Sequence, residues 1–403
     1  MNVAPRLEIN LGKIQHNASE LVRCFARQGI SITGVCKATL GSAAIATTLL
    51  RAGVTSLADS HIETIESMRR AGVQAEMMLI RSPMLSQVAR VVASADVSLN
   101  TEIEVIRQLS QAAVKANRSH AVILMVELGD RREGIMPEML LKTIQQTLCL
   151  PNIMLKGIGT NLACQNGVVP DIRNMSEWSA LATLVEGRFG CKLETVSGGN
   201  SANLDWALSA VTVGRINHLR LGESILLGRE PLHRRPLDGL FTDAFTVVAE
   251  VIESKRKPSL PAGVVELTAR GVAATVVDRG VVWQSILAVG HQDVDPEGLL
   301  APKGIEVMGA SSDHLIVVSD RHELSVGAEV RFEPDYGSLV RAMTSPFVSK
   351  VFKHDPLPMG RLSKARPMSS TRGTTIRLLQ WRSLDAHSTK GTKHLSQPVS
   401  YTR

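Results

Sequence analysis

Lys37 closes the alternating run Ser31-Ile32-Thr33-Gly34-Val35-Cys36-Lys37, and a lysine in that place can do covalent chemistry. On a strand, Thr33, Val35 and Lys37 share one face, so Lys37 is expected to point with Val35 into a core. An ammonium in low dielectric is costly and its pKa falls, which frees the amine to form a Schiff base with an aldehyde. The alternative is a lysine that carries its charge out to water on its aliphatic stem. Four other groups of polar residues each follow an apolar run: Gly129-Asp130-Arg131-Arg132-Glu133-Gly134, Thr160-Asn161, Ser197-Gly198-Gly199-Asn200-Ser201 and Arg220-Leu221-Gly222-Glu223. Together they could serve a cofactor, if the chain brings them to one place.

The elements that would do so alternate along the chain. Short apolar runs at 31–37, 56–60, 75–80, 97–100, 121–128, 155–161, 194–200 and 218–222 are separated by amphipathic stretches such as 102–116 and 176–189. That order predicts parallel βαβ units, and eight strands over this length predict a (β/α)8 TIM barrel. A doubly wound open sheet is the alternative, but the first strand–helix junction lacks its usual GxGxxG turn. Near Gly239 the pattern changes to short strands with turns between them, at 246–252, 271–277, 283–289 and 314–318. This predicts a C-terminal all-β domain. The expected division is a barrel over 1–235, a β domain over 236–354, and a basic tail without a fold over 355–403.

Composition removes several classes of function. The net charge of +7 and pI near 9.3 suggest an anionic partner until the charge is located. Residues 351–403 hold 10 of the 45 basic and 2 of the 38 acidic residues, which leaves 35 and 36 in the body. With 3% aromatics there is also no stacking platform, so no nucleic-acid partner is expected. No run approaches the ~18 apolar residues of a membrane span. The polar start of the chain is unlike a signal peptide, and five widely spaced cysteines suggest neither disulfides nor a metal site. A reducing cytoplasm is the expected location.

In a barrel of this kind chemistry sits where the strands end at their C-termini. The small and hydroxyl residues after strands seven and eight suit a phosphate, and Lys37 suits an aldehyde. Pyridoxal phosphate has both groups. At this point the sequence resembles fold-type III pyridoxal-phosphate enzymes of the alanine racemase group, and most closely bacterial ornithine and lysine racemases. Leu7-Glu8-Ile9-Asn10 with Asn17, Val35-Cys36-Lys37-Ala38, the loops at 129–134 and 196–201, Gly222-Glu223-Ser224, Ile286 to Asp293 and Gly309 to His314 carry the likeness.

The resemblance implies a role for each residue. Lys37 would form the Schiff base, and Arg132 would lie near the cofactor phenolic oxygen and the substrate carboxylate. Asn200, Ser201, Gly222, Glu223 and Tyr336 would hold the phosphate, and Asn161 stands where alanine racemases place a histidine. Arg220 would face the pyridine nitrogen. Decarboxylases of this fold present a glutamate there, which keeps the nitrogen protonated; an arginine cannot accept that proton, so the carbanion is less stabilised and racemisation is favoured.

Racemisation needs a base on each face of the α-carbon. Lys37 would serve one, and His291 aligns with the alanine racemase tyrosine that serves the other. Asp293, Asp313 and His314 are its rivals. Asp130, Asp293 or Asp313 could meet a cationic side chain, with Ser312 beside them. The resemblance also implies a homodimer in which the β domain of one subunit completes the site of its partner. The expected activity is racemisation of lysine or ornithine. An alanine racemase and a non-catalytic pyridoxal-phosphate carrier are the alternatives, although carriers of this fold lack the β domain.

Overall fold

The first strand, β1 (Arg6–Asn10), does not enter the barrel that follows it. The computed structural model describes residues 3–209, 212–267, 271, 277–320 and 323–354. Asn10 caps the helix Leu11–Ala26 by accepting from the backbone of Lys13 at 3.0 Å. Eight strands then close a barrel: β2 (Ser31–Val35), β3 (Ser56–Asp59), β4 (Glu76–Leu79), β5 (Val97–Asn100), β6 (His120–Val126), β7 (Ile153–Thr160), β8 (Thr195–Ser197) and β9 (His218–Leu221). All neighbours are parallel, and β2 closes on β9 with Ser31 opposite His218. Parallel strands are buried on both faces, which is why β6 reads His-Ala-Val-Ile-Leu-Met-Val without polar alternation.

Two kinds of packing fill this barrel. Val35, Ala58, Met78, Val97, Leu99, Ala121, Ile123 and Met125 form a small apolar cluster of their own. Strands β2, β3, β8 and β9 instead contribute a buried chain of hydrogen bonds. Thr33 Oγ1 meets Ser56 Oγ at 2.5 Å and His218 Nε2 at 2.6 Å, while His218 Nδ1 meets Ser197 Oγ at 3.0 Å. Burial pushes the imidazole of His218 down to about 3, with Arg220 and Lys156 adding to the shift. It is therefore neutral, as two hydroxyl partners allow.

The second sheet is formed by β10 (Phe245–Pro258), β11 (Val281–Leu287), β12 (Leu299–Leu300), β13 (Ile305–Ala310), β14 (Leu315–Ser319), β15 (Glu329–Pro334) and β16 (Ser349–Lys353), together with β1. Its path runs β12-β15-β10-β11-β14-β13, and β1 joins it antiparallel to β10 and parallel to β16. The buried Glu8 of β1 fixes this join. It accepts from Arg6 Nε at 2.9 Å, from Lys353 Nζ at 2.6 Å and from Arg331. Burial alone would raise Glu8, but these cations hold it at about 2.

The strand expected at 271–277 falls largely outside the described residues, as does the basic tail at 355–403. No helix among the described residues is long and apolar enough to cross a membrane.

Candidate active site

Strand β2 ends at Val35, two residues before the expected limit. Cys36 turns the chain (φ −96°, ψ 0°), and Lys37 opens a single 3-10 turn, Lys37–Thr39, at the barrel mouth. Lys37 is therefore exposed and does not follow Val35 inward. The alternation stops when the backbone leaves the extended region, so the expected burial of the lysine does not hold. Its Nζ lies 5.9 Å from the centroid of the Tyr336 ring, within the reach of a cation–π contact.

Tyr336 begins the helix Tyr336–Thr344, which packs on that turn. Asp335 caps the helix, accepting from Ser338 N at 2.9 Å, and also pairs with Arg234 at 2.9 Å. The cap thus ties the helix to the loop after the barrel. Burial pushes the phenol of Tyr336 up, and Glu223 adds to the shift.

Arg220, on β9, is buried under the mouth. Its guanidinium donates to Thr160 O at 2.9 Å, to Asn161 Oδ1 at 3.4 Å and to Ser197 Oγ. Burial pulls it down to about 10, which still leaves it a cation at neutral pH. Asn161 Oδ1 also accepts from Asn200 Nδ2 at 3.0 Å, while Asn161 Nδ2 is buried without a hydrogen-bond partner among the described residues. A buried donor left unsatisfied costs about 1–3 kcal/mol. It marks a wall of this cluster that asks for an acceptor.

Two helix N-termini converge beside it. Asn200 caps the turn Ser201–Asn203 by accepting from Ala202 N at 2.7 Å, and Asn203 Oδ1 returns a bond from Asn200 N at 3.1 Å. Gly199 is required here, at φ 137° with Asn203 Oδ1 only 2.2 Å from where a Cβ would stand. Gly222 precedes the short helix Glu223–Leu227, and Ser224 N donates to Ser201 Oγ at 3.2 Å. Asn200 therefore has both ends of its amide engaged within the protein, and the Ser201 hydroxyl is shared with Ser224.

The loop after β6 separates its charged residues. Gly134, at φ 155°, lets the chain fold back against Glu127, whose backbone N would stand 2.3 Å from any Cβ placed there. Asp130 is turned inward and fully buried, accepting from the backbone N–H groups of Cys164 (3.0 Å), Gln165 (2.9 Å), Asn166 (3.1 Å) and Val168 (3.3 Å). Burial would raise its pKa, but these amides outweigh it and hold the carboxyl below its usual range. Arg132 turns outward and pairs with Glu133. Asp130 is thus a loop anchor, which differs from the expectation that it meets a substrate, because both of its oxygens are already taken by amides.

The remaining expected residues gather at a tip of the second sheet. His291 N donates to Ser311 O at 3.0 Å and Gln292 N to Ser312 O at 2.9 Å, so the loops at 290–294 and 311–314 lie together. Asp313 is exposed and accepts from His314 Nδ1 at 2.8 Å and from Ser312 Oγ at 3.2 Å. Asp293 is buried, accepting from Ser345 Oγ at 2.8 Å and Gly290 N at 3.3 Å. Its carboxylate therefore holds the tip and differs from the expected substrate contact.

Residues 9–230 match the alanine racemase N-terminal domain. Over 87% of its length the chain is 38% identical to the lysine racemase of Thermotoga maritima, covering 99% of that protein. It is 36% identical to the ornithine racemase of Acetoanaerobium sticklandii, over 86% of this chain and 99% of the other. The chain belongs to the alanine racemase family. Among solved structures, the alanine racemase of Streptomyces lavendulae superposes with a TM-score of 0.69 at 18% identity, covering 88% of this chain and 99% of that one. Racemases of this family are isomerases and in general depend on pyridoxal phosphate.

Within this alanine racemase fold, Asp59 escaped the sequence reading, and so did the role of Ser224. Asp59 ends β3 and is 1% exposed, with Oδ1 accepting from His61 N at 3.0 Å and Oδ2 buried without a partner among the described residues. Burial pushes it up to about 6, against the pull of His61 and Lys37. Its position at a barrel strand end was the available signal. Ser224 stands in the Gly222-Glu223-Ser224 run that carries the resemblance, but its bond to Ser201 arises from the approach of a second helix.

Proposed function

We propose that this chain interconverts the L and D forms of a basic amino acid, lysine or ornithine, with pyridoxal phosphate held at the barrel mouth through Lys37. The observation that carries the reading is the buried Arg220 guanidinium, set under the mouth beside an unsatisfied amide of Asn161. Pyridoxal phosphate, when bound, supplies an aldehyde for the substrate amine and an electron sink that acidifies the α-proton. The residues present fit it. Asn161 Nδ2 offers a donor that needs an acceptor. Ser201, Gly222 and Glu223 stand at two helix N-termini, whose first N–H groups lack intrahelical partners and suit a phosphate. Tyr336 and Asn200 flank them.

Each side chain then has a task. Arg220 is the cation that would face the ring nitrogen of the bound cofactor, and it has no lone pair with which to take its proton. This limits the electron sink, which disfavours decarboxylation and supports prompt return of the α-proton. Arg132 is the cation available to a substrate carboxylate, in competition with Glu133. Lys37 moves the proton on one face, with the Tyr336 ring beside it. The other face requires a second base. We assign it to the tip that carries His291, with Asp313 and His314 as rivals and Ser312 at its edge, contributed by the second subunit of a homodimer. In this reading residues 1–235 together with Tyr336 hold the cofactor, and the tip at 290–314 completes a neighbour's site.

Incubation with L-lysine in D2O tests the proposal. The α-proton exchanges and the D isomer accumulates; absence of exchange with lysine, ornithine, arginine and alanine overturns it. Faster turnover of alanine than of lysine would move the assignment to an alanine racemase.

A further inference from the structure

The helix Tyr336–Thr344 touches two places that the racemase reading gives to different sites. At its start, the Tyr336 ring lies 5.9 Å from the Lys37 amine of the same chain. Further along, its side chains fasten the segment that carries His291. Ser338 Oγ donates to Asp295 O at 2.7 Å, Arg341 Nη1 donates to His291 O at 3.0 Å and to Val294 O at 3.2 Å, and Ser345 Oγ, at the helix end, donates to Asp293 Oδ1 at 2.8 Å. Spacings of three and four residues put these positions on one face of the helix. The loop is therefore held at several points along its length.

Arg341 differs from the two serines. They are buried, so their loss would be felt first as stability, whereas Arg341 is exposed and serves two carbonyls through one nitrogen. The N–H groups of Asp293 and Val294 both donate to Gly290 O, at 2.9 and 3.0 Å, which makes 290–294 a single helical turn. A cation at the C-terminal end of such a turn meets the negative end of its peptide dipoles. The neighbouring loop is tied to the same turn. His291 N and Gln292 N donate to the carbonyls of Ser311 and Ser312, and a Cβ on Gly290 would stand 2.4 Å from Asp313 N, so the two backbones are in contact.

We infer that Arg341 is a positioning residue for the second base, holding the tip where it reaches the α-carbon in the neighbour's mouth. Its grip is on the loop backbone, so it serves whichever of His291, Asp313 and His314 moves the proton. The inference rests on the racemase reading above and adds a division of labour within one helix: Tyr336 serves the mouth of its own subunit, and Arg341 that of the other.

The test follows L- and D-lysine with the Arg341→Ala holoenzyme. A misplacement of about 1 Å at a reacting group costs up to ~10²-fold, so kcat for interconversion is expected to fall by about 30-fold with KM little changed. In D2O the enantiomer whose proton Lys37 removes should still exchange at close to the wild-type rate, and Tm should change little. Arg341→Lys, whose ammonium also presents several donors on one nitrogen, is expected to restore most of the loss. Arg341→Gln, which keeps a donor without the charge, gives the same one-sided loss and serves if the alanine variant fails to fold. Mixing Arg341→Ala with Lys37→Ala is expected to recover about a quarter of wild-type activity, because one site of each mixed dimer then has both residues intact. An unchanged kcat, an equal loss for both enantiomers with a lowered Tm, or no recovery on mixing overturns the inference, while lysine exchange in the wild type leaves the racemase reading standing. No exchange by the wild type with any amino acid overturns both.

Discussion

The mouth of the barrel and the tip of the second sheet both present groups able to move a proton, but they are built in opposite ways. At the mouth, Lys37 is one exposed amine above a buried lattice in which Arg220, Asn161, Asn200 and Ser197 hold one another. At the tip, the buried member is Asp293, which holds the loops, and the ionisable Asp313 stands in solvent. A side chain fixed by its neighbours has its role limited by the fold. One on an exposed tip acquires a role when something docks against it. In the proposed reading the mouth is thus a prepared site, and the tip is one half of a site.

The largest expected effect falls on the mouth. Lys37→Ala should reduce interconversion of both enantiomers by at least ~10³-fold, with the circular dichroism spectrum and Tm unchanged, because the lysine is exposed and packs no core. Retention of activity would remove the barrel mouth from the chemistry altogether.

The tip should fail differently. His291→Asn is expected to slow interconversion by ~10²–10⁴-fold, while the enantiomer whose proton Lys37 removes continues to exchange in D2O without inverting. Mixing the Lys37→Ala and His291→Asn variants then sharpens the comparison. If the tip of one subunit completes the mouth of the other, a mixed dimer holds one site with both defects and one intact site, so random mixing recovers about a quarter of wild-type activity. No recovery would place both residues in the same chain's site.

The same contrast explains what the sequence disclosed. Parallel barrel strands are buried on both faces, so β6 and its neighbours stand out as apolar runs, and the ends of β7, β8 and β9 lie within a few residues of their expected limits. Short edge strands such as β12 and β13 carry no such signal. The place of β1 in the second sheet depends on pairing with β16 at the other end of the described chain, which local pattern cannot reveal. For the candidate site, residue types at strand ends pointed to Lys37 and Arg220, which lie at the barrel mouth and beneath it. They could not separate a carboxylate facing a ligand from one facing amides, as Asp130 shows. They also could not show that Cys36 turns the chain and brings Lys37 into the open.

Asp130 offers a test on stability. Asp130→Asn weakens four charge-assisted bonds to the 164–168 segment and should cost about 1–3 kcal/mol, read as a lower Tm and faster proteolysis of that loop. The sign of the pH dependence follows from the depressed carboxyl. Its contribution is present above the unfolded pKa of ~3.9 and is lost as pH falls through the folded value. The difference between variant and wild type should therefore be full at neutral pH and close below pH ~4. A difference that persists in acid would mean that the loop is held by something other than the charge on Asp130.

The smallest effect is expected at Asp313, and there the comparison between mouth and tip is most easily broken. Its carboxylate is held below its usual range first by His314, with the hydroxyls of Ser312 and Ser311 assisting. An exposed group with these partners shapes a turn, and exposed pairs contribute little. Asp313→Asn should accordingly change kcat by less than about fivefold, with both enantiomers affected equally. A one-sided loss, in which one enantiomer still exchanges its α-proton and neither inverts, is the signature reserved above for His291. Found at Asp313, it would transfer the second base to the carboxylate and leave the imidazole as part of the loop.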